Sequence, residues 1–173
     1  MSSPSVHNFM TKLQCCPTSD GAAATVICSQ RFLDKHPHLK PQAVEIAGQA
    51  LATDDVALLG GSAIELVGAE MTRRAADMVY KESGIGPQDV QVVECHDCFS
   101  ANEMYVPVVK KGRVNGRVCL DALGLAERGK AHELVTKGDI TFGGKYLVNP
   151  SGGLISKGHP IGATGLAQAS ELV

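Results

Sequence analysis

The chain has 173 residues, 44% of them apolar and 4% aromatic with no tryptophan, and a formal net charge of −2. That length is enough for one ordinary domain with a core of its own. A balance so close to neutral excludes an electrostatically driven nucleic-acid protein and broad membrane attachment. Nineteen glycines among many alanines point to close backbone packing and an α/β enzyme with glycine-rich loops.

Six cysteines suggest a disulfide framework, but the start, Met1-Ser2-Ser3-Pro4-Ser5-Val6-His7-Asn8, has no apolar signal-peptide core. No apolar run approaches a membrane span. The expectation is therefore reduced thiols in an intracellular compartment. The end, Ser170-Glu171-Leu172-Val173, is not a peroxisomal address.

Cys15-Cys16-Pro17-Thr18-Ser19-Asp20-Gly21 reads as a polar turn, and Ala22 to Cys28 as a buried helix or strand, which periodicity alone does not separate. After Pro37 and Pro41, Ala43-Val44-Glu45-Ile46-Ala47 reads as a strand. Met71, Ala75, Met78 and Val79 form a helical stripe, with Arg73, Arg74, Asp77 and Lys81 largely outside it. Gly84 stops that helix and Pro87 lies just beyond. The β-branched run Val90-Gln91-Val92-Val93-Glu94-Cys95 predicts a core strand leading straight into His96-Asp97-Cys98-Phe99. Tyr146-Leu147-Val148 is a second short strand, followed by the loop Asn149-Pro150-Ser151-Gly152-Gly153. From Gly162 to Val173 small and apolar residues at helical spacing predict a helix buried on most sides, which suggests a truncated C-terminus. Strand and helix alternating through glycine-rich turns argue for an α/β layer structure.

Two stretches can carry chemistry. In an extended strand His96 and Cys98 point the same way, and a thiol beside an imidazole can shift towards thiolate or pass a proton near neutral pH. The same residues also fit a plain core. In Gly158-His159-Pro160-Ile161-Gly162-Ala163-Thr164-Gly165 a glycine-bracketed histidine enters a helix with proline near its first turn. Helix N–H groups there suit an oxyanion or phosphate, although a satisfied loop histidine is an equal reading. Cys95 and Cys98 form a Cys-x-x-Cys, but Cys119 and His132 complete no standard zinc spacing. The basic run Lys110-Lys111-Gly112-Arg113 with Arg117 reads as solvated surface, because no nucleic-acid motif or stacking aromatics accompany it.

Taken together these motifs resemble the thiolase family, in particular its sterol carrier protein X class. His96-Asp97-Cys98-Phe99 resembles that class's HDCF motif, and Gly158 to Gly165 resembles the GHP motif with its following helix. Cys15 to Ala24 is similar to the segment closing the first half-domain. The resemblance implies a five-layered αβαβα fold, with residues 1–41 ending the first half and 42–173 forming most of an incomplete second half. Residues 105–118 match nothing in the family and read as an insertion.

The implied activity is acyl-CoA acyltransfer of the 3-oxoacyl-CoA thiolase or propanoyl-CoA C-acyltransferase type in peroxisomal lipid metabolism. Coenzyme A and acyl-CoA are then substrates, no cofactor or metal is used, and a thiolase dimer partner is implied. By the same resemblance His159 activates the nucleophile, Cys98 is the acid/base, and His96 binds a thioester or oxyanion oxygen. Ser151, Gly152, Gly153 and Gly158 lie at the substrate. None of the six cysteines sits in the nucleophile's Cys-Ser-Thr-Gly context, so the expectation is a fragment inactive by itself. The alternative is a non-catalytic CoA- or lipid-binding module, or one that associates with a thiolase subunit.

Overall fold

The computed structural model describes residues 3–7, 10–60, 63–103 and 119–173. The expected insertion at 105–118, with its basic run, lies outside the described residues. Strands are β1 (Ser5–His7), β2 (Met10–Thr11), β3 (Val92–Val93) and β4 (Leu147–Val148). Helices are α1 (Gln30–Lys35), α2 (Ala63–Leu66), α3 (Ala69–Ser83), α4 (Ser100–Glu103), α5 (Cys119–Ala122), α6 (Ala131–Lys137), α7 (Gly153–Lys157) and α8 (Thr164–Glu171).

The long helix forms where its stripe predicts. Gly84 closes α3 in the left-handed region at φ 72° and returns its N–H to the Tyr80 carbonyl. An L side chain resists that conformation and glycine does not. The buried face is centred on Ala76, and Met78 is 51% exposed, so the stripe is rotated from the expected one. This rotation turns Tyr80 inward, where its hydroxyl donates to the Leu123 carbonyl at 2.8 Å as α3 packs on α5.

The expected core strand is present but short. β3 and β4 pair in parallel, Val92 with Leu147 and Val93 with Val148. The Leu147 and Asn149 N–H groups donate to the Gln91 and Val93 carbonyls, both at 2.8 Å. A parallel pair needs a long crossover, and α4, α5 and α6 lie within it. The core gathers here: Leu120 is fully buried among Val93, Cys95, Leu125, Ala131, Tyr146 and Val148. The Asp121 carboxylate accepts from the Gly129 and Ala131 N–H groups, fixing the entry to α6.

Three expectations are corrected. Ala22 to Cys28 forms neither helix nor strand and is solvent-facing, with Val26 95% exposed. Ala43 to Ala47 likewise has no ladder, and Val44 and Ile46 are exposed. β-branched residues favour a pleated, half-buried surface, and among the described residues no neighbouring strand supplies one at either place. The final helix forms, but only its start, Ala163 and Thr164, is buried, while Leu166 and Leu172 are exposed. No element among the described residues covers its length, so small apolar composition alone does not bury it.

Candidate active site

The site grows out of the end of β3. From Val93 onward burial alternates: Val93, Cys95 and Asp97 face inward, while His96 is exposed and Cys98 half-buried. The alternation thus puts His96 on the outer side and Asp97 within, and Cys98 follows in the bend after them. It also separates Cys95 from Cys98. All six cysteines are present as thiols. Among the described residues no group of three or more His, Cys, Asp or Glu side chains is placed to hold a metal.

Asp97 is 3% exposed, and its Oδ1 accepts from the Leu154 N–H at 2.7 Å, at the first turn of α7. Its other oxygen lies against Gly153, where a Cβ would stand 2.2 Å from it. Asn149, the one described non-glycine residue with positive φ (46°), ties the same floor to the strand. Its Oδ1 accepts from the Cys95 N–H at 2.8 Å, and its amide donates to the Cys95 sulfur at 3.5 Å. Two buried polar side chains thus join β3 to the Ser151-Gly152-Gly153 loop. Asp97 Oδ1 and both atoms of the Asn149 amide have partners, as burial demands.

The N-terminal segment crosses the same place. Cys15 bridges Phe99 antiparallel, and the Cys16 N–H donates to the Cys98 carbonyl at 2.8 Å. Beyond it, Ser19 lies against Gly158 (φ +93°) and Gly21 against Pro160, so closely that a Cβ on Gly158 would reach within 2.1 Å of Ser19 Oγ. The segment from Cys16 to Ala23 forms one wall of an open groove of about 780 Å³, and His159 to Ala163 forms the other.

The rings of His96 and His159 meet edge to face, centroids 4.7 Å apart and planes at 80°. His159 Nδ1 is 2.7 Å from the Thr164 hydroxyl at the start of α8. Although the residue as a whole is exposed, partial desolvation of the ring, then the neighbouring His159 charge, holds His96 below the ordinary imidazole value against the opposing pull of Asp97. Burial first, then the Cys16 thiol alongside, pushes Cys98 up, and the Phe99 N–H only partly offsets this. At neutral pH Cys98 is therefore a thiol, a proton donor rather than a nucleophile. The Asn102 amide lies 3.4 Å from its sulfur.

Of the residues singled out in the sequence, His96 and His159 are in contact, Cys98 is half-buried with its carbonyl bonded to Cys16, and Gly158 lines up beneath the N-terminal segment. Gly152 and Gly153 form the floor. Ser151 is exposed, and its hydroxyl accepts from Lys157 Nζ at 2.6 Å, so it is held at the α7 side. Sequence reasoning assigned no role to Asp97, Asn149, Cys16 or Thr164. A carboxylate at an inward position of an apolar strand is the signal for Asp97, because a buried charge requires donors.

The profile of a family described as thiolase C-terminal domain-like matches residues 61–173. Sterol carrier protein 2 of Bos taurus is 50% identical over 173 residues, covering 99% of this chain and 29% of that protein. Non-specific lipid-transfer protein-like 2 of Caenorhabditis elegans is 48% identical, covering 96% and 38%. Benzoylsuccinyl-CoA thiolase subunit BbsB of Thauera aromatica is 35% identical, covering 97% and 39%. The chain thus spans well under half the length of each of these relatives. Among solved structures the Ltp2-ChsH2(DUF35) aldolase superimposes with a TM-score of 0.56 over 73% of this chain and 30% of that one, at 23% identity, a likeness of fold. With a profile match running over more than half its residues, the chain belongs to the thiolase C-terminal domain-like family.

Proposed function

We propose that the chain supplies the acid/base part of a thiolase-type acyl-CoA acyltransferase site, working on 3-oxoacyl-CoA with coenzyme A as co-substrate. The observation that carries this reading is the contact of His159 with His96 at the groove, with the protonated Cys98 two residues beyond His96 and its carbonyl bonded to Cys16 of the groove wall. In the reaction a cysteine thiol from outside these 173 residues gives its proton to His159, and its thiolate attacks the C3 carbonyl carbon. The C2–C3 bond breaks, and the electron pair left on C2 of the departing acyl-CoA takes the Cys98 proton. A neutral His96 carries one N–H and donates it to the thioester oxygen on which that charge is delocalised. The thiol of a second coenzyme A then attacks the acyl-enzyme, its proton restoring Cys98, and the released cysteine recovers its own from His159. The Ser151-Gly152-Gly153 loop lies beside the pantetheine arm.

The relatives named for sterol carriage and lipid transfer support a lipid acyl group, and the family resemblance supports a peroxisomal setting and a thiolase dimer partner. Among the described residues no helix is long and apolar enough to cross a membrane.

The test is isotope exchange. The chain is incubated with propanoyl-CoA in D2O, and deuterium at C2 is followed by mass spectrometry. Exchange above buffer is expected, falling by about a hundredfold in Cys98→Ala, while coenzyme A still raises the melting temperature of both proteins. Exchange unaffected by Cys98→Ala would overturn the assignment. The exposed Val26, Ile27, Val44 and Ile46 favour a second reading, a module that binds coenzyme A or lipid, or joins a thiolase subunit, without turnover. A thermal shift with coenzyme A and no C2 exchange in any variant would select it.

A further inference from the structure

We infer that Thr164 is a positioning residue that fixes His159 as the Nδ1–H tautomer, an inference resting on the acid/base reading of His159 given above. Thr164 is 6% exposed. Its Oγ1 has two polar neighbours, His159 Nδ1 at 2.7 Å and the Pro160 carbonyl oxygen at 3.2 Å. A threonine hydroxyl has one proton and two lone pairs, while a carbonyl oxygen has lone pairs only. The contact with Pro160 is therefore attractive only when Thr164 provides the proton. Its oxygen then accepts from the ring, which requires the hydrogen of His159 to be on Nδ1. The Nε2 lone pair is left free to take a proton.

The opposite assignment costs on both sides. Were the hydroxyl proton given to Nδ1, the Thr164 and Pro160 oxygens would oppose lone pairs at 3.2 Å, and the hydrogen would sit on Nε2. A neutral imidazole protonated on Nε2 has nothing to offer a thiol proton at that atom. The bond made by one ring nitrogen sets the state of the other, so a hydroxyl five residues along the chain decides whether His159 is a base. The Pro160 carbonyl also accepts the Ala163 and Thr164 N–H groups, at 2.8 and 3.0 Å. This holds the first turn of α8 against the ring. A β-branched residue has few χ1 rotamers in a helix, and one of the two open to threonine aims its oxygen at the carbonyl four residues back.

The experiment reads the tautomer rather than activity. The 173-residue chain is labelled with 15N in its imidazole rings, and two-bond 1H–15N correlations are recorded above neutral pH. His159 is assigned by the signals lost in His159→Gln. The expected pattern is a protonated Nδ1 and an unprotonated Nε2 for His159. Thr164→Ser keeps it, and Thr164→Val reverses it while His7, His36, His38 and His132 do not move. A wild-type His159 protonated on Nε2 overturns the inference, and so does a Thr164→Val protein with the wild-type pattern. Should Thr164→Val unfold, the wild-type and Thr164→Ser spectra still decide. A chain whose six histidines share one unfolded pattern overturns it as well. Failure of the C2-exchange experiment leaves these spectra untouched, so the two readings fail separately.

Discussion

Replacing Gly153 by alanine tests the floor of the site, and the same replacement at Gly143 isolates one component of the cost. Both glycines hold positive φ, +60° at Gly153 and +84° at Gly143. An L residue in this region costs about 1–2 kcal/mol, partly offset by about 0.4–1 kcal/mol from the smaller entropy of the unfolded alanine chain. At Gly143 nothing lies within 4 Å of the added Cβ, so that balance is the whole effect. At Gly153 the Cβ would stand 2.2 Å from Asp97 Oδ2 and 2.7 Å from Asn149 Nδ2. Neither neighbour can swing away without breaking its bond, to the Leu154 N–H in one case and the Cys95 N–H in the other. Overpacking of this kind adds about 1–3 kcal/mol. Urea unfolding followed by circular dichroism should place Gly153→Ala below Gly143→Ala by that difference, or by about 2–12 °C in melting temperature at 2–4 °C per kcal/mol. Equal destabilisation of the two variants would refute the claim that Asp97 and Asn149 are fixed in place.

Asp97→Ala removes the acceptor of a buried N–H and should cost about 1–3 kcal/mol, with faster hydrogen exchange at Leu154; unchanged exchange there would count against the cap. His96 is held below the ordinary imidazole value, so the unfolded chain takes up the proton first as pH falls. Stability is then complete above about pH 6.5 and lost as pH drops towards the folded value. Melting temperatures between pH 7.5 and 5 should fall less steeply in His96→Asn, and parallel profiles would refute this. Cys98 has the opposite sign: its raised pKa favours the protonated fold, and this contribution is lost as pH rises above the ordinary thiol range. At pH 8 iodoacetamide should therefore alkylate Cys98 more slowly than the exposed Cys28, and faster labelling of Cys98 would refute the shift. The chain alone should not cleave acetoacetyl-CoA with coenzyme A, because such groups work as a unit; turnover that disappears in Cys98→Ala would show otherwise.

What the sequence reveals depends on whether the partner of a residue is near it in the chain. The α3 helix is legible because its stop, Gly84, acts on Tyr80 within one turn. The parallel pairing of β3 with β4 brings together residues more than fifty positions apart, so periodicity finds each strand without their register. Val44, Ile46 and Leu166 fail differently. Their composition states a preference for burial, while burial itself is decided by what packs beside them, and among the described residues that cover is absent. The same distinction runs through the site. His96, Cys98 and His159 stand out as residue types with chemistry, whereas Asp97 and Asn149 act through Leu154 and Cys95, contacts that exist only after folding.

The end of β3 does two jobs because the strand period is two. Cys95 and Asp97 point inward and fasten the strand to Asn149 and to the first turn of α7, while His96 points to the outer side. A slip of one residue would exchange the sets, burying the imidazole and exposing the carboxylate. The two polar ties therefore fix register as well as add stability. Asp97 can do this only because Gly153 leaves room for its carboxylate, and Leu154, the donor, is the next residue. His96, set by that register, meets His159, set by Thr164 on a different element. The site thus depends on two independent locks, one on the strand and one on the helix. A defect in either displaces one ring of the pair and leaves the other in place, so Asp97→Ala should disturb the His96 signals while His159 keeps its tautomer.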